Sequence, residues 1–120
     1  MRAFVFPGQG SQKVGMGAEL AAASQAARDV FGEVDEALLQ HLSKLMAEGP
    51  EEELLKTANG QPAIMANAMA TLRVLEHDFG VSLAEHGACV AGHSLGEYTA
   101  LCAVGAFGLA DTARLLRLRG

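Results

Sequence analysis

The sequence is poor in the residues that build disulfide and metal sites. It has two cysteines, Cys89 and Cys102, in 120 residues. Both sit in apolar stretches, where a thiol reads as a small buried hydrophobe. Neither a disulfide framework nor a metal cluster is expected. Basic charge is also scarce, with 9 Lys and Arg against 14 Asp and Glu and a net charge of -5. Phosphate binding needs a basic face, so nucleic acid is not expected as a partner. No apolar run is long enough to cross a bilayer, and no basic segment leads into an apolar one as in a secretory signal. The expectation is a chain with no membrane segment, cytoplasmic by default. No low-complexity tract is present, and 50% of residues are hydrophobic. Such a chain buries a core and folds as one globular domain.

Against these absences stands one dense stretch, Ala88-Cys89-Val90-Ala91-Gly92-His93-Ser94-Leu95-Gly96-Glu97-Tyr98. A short apolar run enters Gly92-His93-Ser94-Leu95-Gly96, and a helical pattern follows. This is G-x-S-x-G between a strand and a helix, the context in which the motif carries a nucleophile. The sharp turn brings flanking residues close to neighbouring backbone, where glycine has no Cβ to clash. It also exposes the Ser94 hydroxyl. The backbone N–H of Leu95 opens the new helix, where the dipole favours a developing oxyanion. The plainer alternative is a Gly-rich turn with an incidental serine.

Taken in order, Arg2-Ala3-Phe4-Val5-Phe6 reads as a strand ended by Pro7, and Gly8-Gln9-Gly10-Ser11-Gln12 as a tight loop. Neither the dinucleotide fingerprint nor the P-loop fits: the third glycine is missing from one, and Met16-Gly17 replaces Lys-Ser/Thr in the other. What remains is a loop at the carboxyl end of a strand, where open α/β sheets place their sites, or a plain strand-helix turn. Residues Gly17 to Ala23 predict a short helix. Ser24 is a suitable N-cap for a second, with Val30, Val34, Ala37, Leu38 and His41 on one face. Gly49-Pro50 stops a short segment over Lys44–Glu48. Pro50 with Glu51, Glu52 and Glu53 suits a solvated helix start. Thr57-Ala58-Asn59-Gly60-Gln61-Pro62 reads as a loop, with Pro62 opening a long helix. On that helix Ile64, Ala68, Leu72, Leu75 and Phe79 form one stripe, and Arg73 and His77 lie opposite. Met65 and Met69 read as core filler.

Residues Leu95 to Val104 and Ala110 to Arg119 predict two helices joined by Gly105-Ala106-Phe107-Gly108. Each is about 15 Å long, so a tight hairpin returns Arg119 to the level of Ser94. Thr112, Leu115, Leu116 and Arg119 share a face by their spacing, with Arg114 and Arg117 on the other side. A guanidinium at Arg119 suits a carboxylate clamp; an arginine satisfying the last carbonyls of a helix is the alternative. A serine nucleophile needs a base. His93 is badly placed for Ser94, His77 faces away, His86 lies at the wrong end of the strand, and His41 is on an apolar face. No histidine follows Ser94. The reading is an N-terminal fragment whose base lies beyond Gly120.

Four motifs in this order, Phe6-Pro7-Gly8-Gln9-Gly10-Ser11-Gln12, Gln61-Pro62-Ala63, Gly92-His93-Ser94-Leu95-Gly96-Glu97-Tyr98 and Arg119-Gly120, resemble the bacterial malonyl-CoA–acyl carrier protein transacylases. Acyltransferase domains of polyketide and fatty acid synthases share the pattern. The resemblance implies an α/β-hydrolase-like parallel sheet with a nucleophile elbow. Residues 1–120 would form the N-terminal part of that subdomain, with a ferredoxin-like subdomain expected later. It implies that Ser94 takes the malonyl group and that Gln9 and Leu95 supply the oxyanion-hole N–H groups. Arg119, Gln61 and His93 are the substrate-binding residues it points to. The implied partners are malonyl-CoA and acyl carrier protein. No cofactor is implied, coenzyme A entering as the substrate thioester. A serine esterase or thioesterase on the same turn is the rival reading, and a non-catalytic piece of the transferase is another.

Overall fold

The computed structural model describes residues 3–6, 12–78, 89–92, 99, 102 and 108–119. Two short strands, β1 (Ala3–Phe6) and β2 (Cys89–Gly92), pair in parallel, with Ala3 opposite Cys89 and Phe6 opposite Gly92. A parallel pair requires a crossover in place of a hairpin. Its described part carries α1 (Ala18–Ala23), α2 (Gln25–Leu38), α3 (Leu42–Glu48), α4 (Glu51–Leu55) and α5 (Thr57–Asp78). Beyond β2 lies α6 (Leu109–Arg119).

This corrects the expected α/β-hydrolase-like parallel sheet. Among the described residues helix packs on helix, and the ladder is the two-stranded β1–β2 pair. The physical reason is the spacing of apolar residues between the strands. They recur at three- and four-residue steps, which makes helical stripes that bury against one another. Among the described residues, strand is confined to two four-residue runs.

The core lies among α2, α5 and α6. From α2 come Ala27, Val30, Phe31 and Val34. From α5 come Ala63, Ile64, Met65, Ala66, Met69, Ala70 and Leu72, and from α6 Leu109, Ala113 and Leu116. The alanines let the helix backbones approach closely, and Met65 and Met69 fill the space between them, as their sequence context suggests. Leu42 and Met46 of α3 and Leu54 of α4 close one side. Each large side chain buried this way contributes roughly 1.5–3 kcal/mol.

The joints are made by polar groups. Ser24 alone separates α1 from α2, at the N-cap position, but its hydroxyl makes no capping bond. Instead its N–H donates to the Leu20 carbonyl at 2.9 Å, ending α1, while Arg28 donates to the Ala21 carbonyl at 2.6 Å and holds the corner. At the other end of α2, Leu39 adopts a left-handed conformation (φ 53°). Leu39 N–H then reaches the Glu36 carbonyl and Gln40 N–H the Asp35 carbonyl, which is the Schellman pattern of a helix end. The Asp35 carboxylate accepts from the Ser43 N–H at 2.9 Å and its hydroxyl at 2.5 Å, capping α3 from outside. His41 is therefore exposed ahead of α3 and not on the apolar face of α2. Pro50 and its three glutamates open α4 as predicted, with Glu53 paired to exposed Lys56 at 2.9 Å.

The start of α5 differs from expectation. The segment Thr57 to Gln61 is helical, not a loop, and Pro62 lies inside the helix. Lys56 alone breaks the chain between α4 and α5, and its carbonyl accepts from both Asn59 and Gly60 N–H groups, at 3.0 and 2.7 Å. Pro62 has no N–H to offer the Ala58 carbonyl. That loss falls early in the helix, where burial on every side outweighs it.

Candidate functional site

Parallel pairing sends the chain out of β1 and β2 at the same edge, since Phe6 and Gly92 are opposite one another. The Gly8-Gln9-Gly10-Ser11 loop follows the first strand, and His93-Ser94-Leu95 follows the second. Binding sites of parallel strands lie at this carboxyl edge. Gln9, His93, Ser94 and Leu95 themselves lie outside the described residues, as does His86.

Two glutamines near the start of α5 are buried. Gln61 is 7% exposed, and its Oε1 has no hydrogen-bond partner among the described residues. Buried acceptors are almost always satisfied, so an open one marks a place for a donor. Gln12, at the end of the β1 loop, is 5% exposed. It packs on the backbone of Gly60, so close that a Cβ there would lie 2.6 Å from its Nε2 and 3.1 Å from the Leu54 carbonyl. Glycine is needed at position 60 for this approach. The start of α5 thus meets Gln12, with Gln61 next in sequence to the contact. Periodicity singles out Gln61 poorly and Gln12 not at all; only the contact at Gly60 reveals the second glutamine.

The last turn of α6 carries Arg119, whose side chain lies outside the described residues. The packed face of this helix is Leu109, Thr112, Ala113 and Leu116, and Leu115 is exposed. Arg117 is not an ordinary solvated charge, as its spacing suggested. It is half-buried and donates to Gln40 Oε1, and its Nε is buried without a partner among the described residues. Burial holds its pKa below the usual arginine value. Arg114 does behave as predicted, exposed and paired with Asp111 at 3.2 Å. The expected turn Gly105-Ala106-Phe107-Gly108, which would level Arg119 with Ser94, lies outside the described residues but for Gly108.

A cleft of about 650 Å³ opens between α2, α5 and α6, lined by Asp29, Glu33, Arg73, Glu76 and Cys102 among others. Arg73 is about 18 Å along α5 from Gln61, so this cleft is separate from the buried start of α5. Cys102 is 5% exposed. Burial pushes its thiol pKa up, and hydrogen bonding with Thr112 and the charge of Arg73 pull it back in part. A protonated buried thiol is a poor nucleophile, which fits its reading as a small hydrophobe. Among the described residues no group of His, Cys, Asp and Glu is arranged to hold a metal ion.

The profile of the acyl transferase domain matches residues 3–120. The chain belongs to the acyl transferase domain family. It is 47% identical over 118 residues to the malonyl CoA-acyl carrier protein transacylase of Salmonella typhimurium, which covers 98% of this chain and 37% of the relative. Among solved structures, the acyl-carrier-protein-S-malonyltransferase of Bartonella henselae superposes with a TM-score of 0.95 at 57% identity, covering 99% of this chain and 38% of that one. A malonyl-transacylase solved in complex with its type II polyketide acyl carrier protein gives 0.89 at 44% identity, over 98% of this chain and 37% of the other. The chain thus spans little more than a third of the length of these relatives.

Proposed function

We propose that this chain carries the nucleophile half of an acyltransferase that moves a malonyl group from coenzyme A to the phosphopantetheine thiol of acyl carrier protein. The observation that supports the reading is the parallel register, which sets Phe6, just ahead of Pro7-Gly8-Gln9-Gly10-Ser11 in sequence, opposite Gly92, the first residue of G-x-S-x-G. Ser94 Oγ attacks the malonyl thioester carbonyl and the coenzyme A thiolate leaves, giving a malonyl ester on Ser94. The carrier thiol then attacks that ester and frees the serine. Backbone N–H groups of Gln9 and Leu95 hold the oxyanion of each tetrahedral intermediate, at about 3–4 kcal/mol per donor. Arg119 pairs with the free carboxylate, while Gln61 and His93 line the substrate. The base for Ser94 is assigned to the part of the family fold that this chain does not span. Thioester and ester exchange changes no oxidation state, so the reaction as proposed draws on no redox cofactor. The carrier complex of the polyketide relative supports the choice of acceptor. The reading puts the activity in the cytoplasm, with its coenzyme A and carrier substrates.

Intact mass of the full-length protein carrying this chain, after mixing with malonyl-CoA, should show a malonyl adduct. Ser94→Ala should abolish it. An adduct that survives the substitution removes Ser94 from the mechanism, and rapid release of free malonate without transfer to carrier thiol identifies a thioesterase instead.

A further inference from the structure

We propose that Gln40 is a positioning residue that fixes the last turn of α6, bearing Arg119, against the start of α5, bearing Gln61. The inference rests on the substrate roles assigned to those two residues above. Gln40 sits just past α2, its backbone held by the Schellman bond to the Asp35 carbonyl. Both ends of its side-chain amide are used. Oε1 accepts from Arg117 Nη2, and Nε2 donates to Asn59 Oδ1 at 3.2 Å. Asn59 Nδ2 in turn donates to the Glu53 carbonyl at 2.8 Å. The result is a polar tie from α6 through the end of α2 to the start of α5 and the end of α4.

Its two outer members stand two positions from the proposed substrate residues: Arg117 before Arg119, and Asn59 before Gln61. A glutamine suits the middle, because one amide offers an acceptor to the cation and a donor to Asn59. The tie is also hard to replace with water. Arg117 is half-buried and its Nε has no partner among the described residues. Loss of the Gln40 acceptor leaves a partly desolvated guanidinium with no counterpart, which is costly. The end of α6 then relaxes outward to hydrate it and takes Arg119 along. A residue that touches no substrate thereby controls the spacing of two that do.

The test compares Gln40→Met, which keeps length and loses both hydrogen bonds, with Gln40→Glu, which keeps an acceptor for Arg117, both in the full-length protein. Steady-state kinetics are read with malonyl-CoA and with acetyl-CoA. In Gln40→Met, malonyl kcat/KM should fall by about 10- to 100-fold, mostly through KM, with acetyl transfer unchanged; Gln40→Glu, which keeps the acceptor for Arg117 and loses the donor to Asn59, should restore only part of the loss. Amide exchange should show residues 57–61 and 115–119 losing protection together in Gln40→Met, while residues 30–34 in α2 keep theirs. Equal falls for malonyl and acetyl, an unchanged ratio, or loss of protection at only one of the two segments overturns the proposal. A wild-type protein that takes no malonyl group overturns the assigned function and the positioning role with it. That case is recognised because the exchange coupling persists without any activity in the wild type.

Discussion

From Gly60 to Ala66 every residue of α5 is buried, whereas between Thr71 and His77 the helix presents Thr71, Arg73, Glu76 and His77 to solvent and buries Leu72. The same helix is an internal strut at its start and a surface helix at its end. An apolar face on one side is enough for the second half, and the first half must fit on all sides. That difference explains the polar atoms each half tolerates. The surface half carries charges that water solvates. In the internal half Gln61 has an open acceptor and Gly60 admits Gln12. The internal half thus keeps polar groups where no water reaches them, which the surface half does not.

The comparison breaks most visibly under truncation. Met65→Ala, in the internal half, should cost about 2–5 kcal/mol of stability, read from urea unfolding. Arg73→Ala, in the surface half, should stay within about 0.5 kcal/mol. Equal effects would mean that α5 is packed uniformly.

Added atoms sharpen it next. Gly60→Ala should destabilise by about 1–3 kcal/mol, because the new methyl meets the buried Gln12 amide and the fixed Leu54 carbonyl. Gly32→Ala in α2 meets nothing within 4 Å and should instead stabilise by about 1 kcal/mol. A gain from both substitutions would show that the contact at Gly60 is loose.

These two halves also mark how far the sequence could be read. The second half of α5 was legible, because the charged positions Arg73 and His77 fall opposite the apolar stripe at helical spacing. The first half was not. Thr57-Ala58-Asn59-Gly60-Gln61-Pro62 has the chemistry of a turn, and local propensity was overridden by packing on every side. Asn59 spends its amide on the Gln40 tie and Gly60 its bareness on Gln12, neither of which is a local event. The same holds at α6. Spacing placed Arg117 in solvent, but a partner 77 residues away in sequence half-buries it. The sheet differs from expectation for another reason. The two strands were found, but the apolar residues between them pack helix on helix. For the candidate site, the motifs point to Ser94, Gln9, Gln61 and Arg119, of which the side chain of Gln61 is described, while the contacts of Gln12 with Gly60 and of Gln40 with Arg117 are long-range.

A smaller effect separates the far cleft from the site by pH. The Cys102 pKa is raised in the folded state, so the neutral thiol is favoured there. Its contribution is fully present below the unfolded value of about 8.5 and is lost as pH rises through the higher folded value. The stability advantage of the parent over Cys102→Ala should therefore hold constant from pH 6 to 8 and shrink above about pH 8.5. Urea titrations of both proteins at pH 7 and pH 9.5 check this, and a difference that stays flat would mean the thiol is hydrated.

The central claim is acyl transfer with selection for a free carboxylate, and the ratio of malonyl to acetyl kcat/KM in Arg119→Ala tests it most directly. Removing one partner of a buried charge pair costs about 3–5 kcal/mol, and each factor of ten in rate corresponds to about 1.4 kcal/mol. In the full-length protein the ratio should fall by roughly two orders of magnitude or more, with acetyl transfer unharmed or improved. Arg114→Ala, exposed and paired only with Asp111 among the described residues, should leave the ratio as it was. An unchanged ratio in Arg119→Ala would contradict the account, because the carboxylate would then be held by another residue.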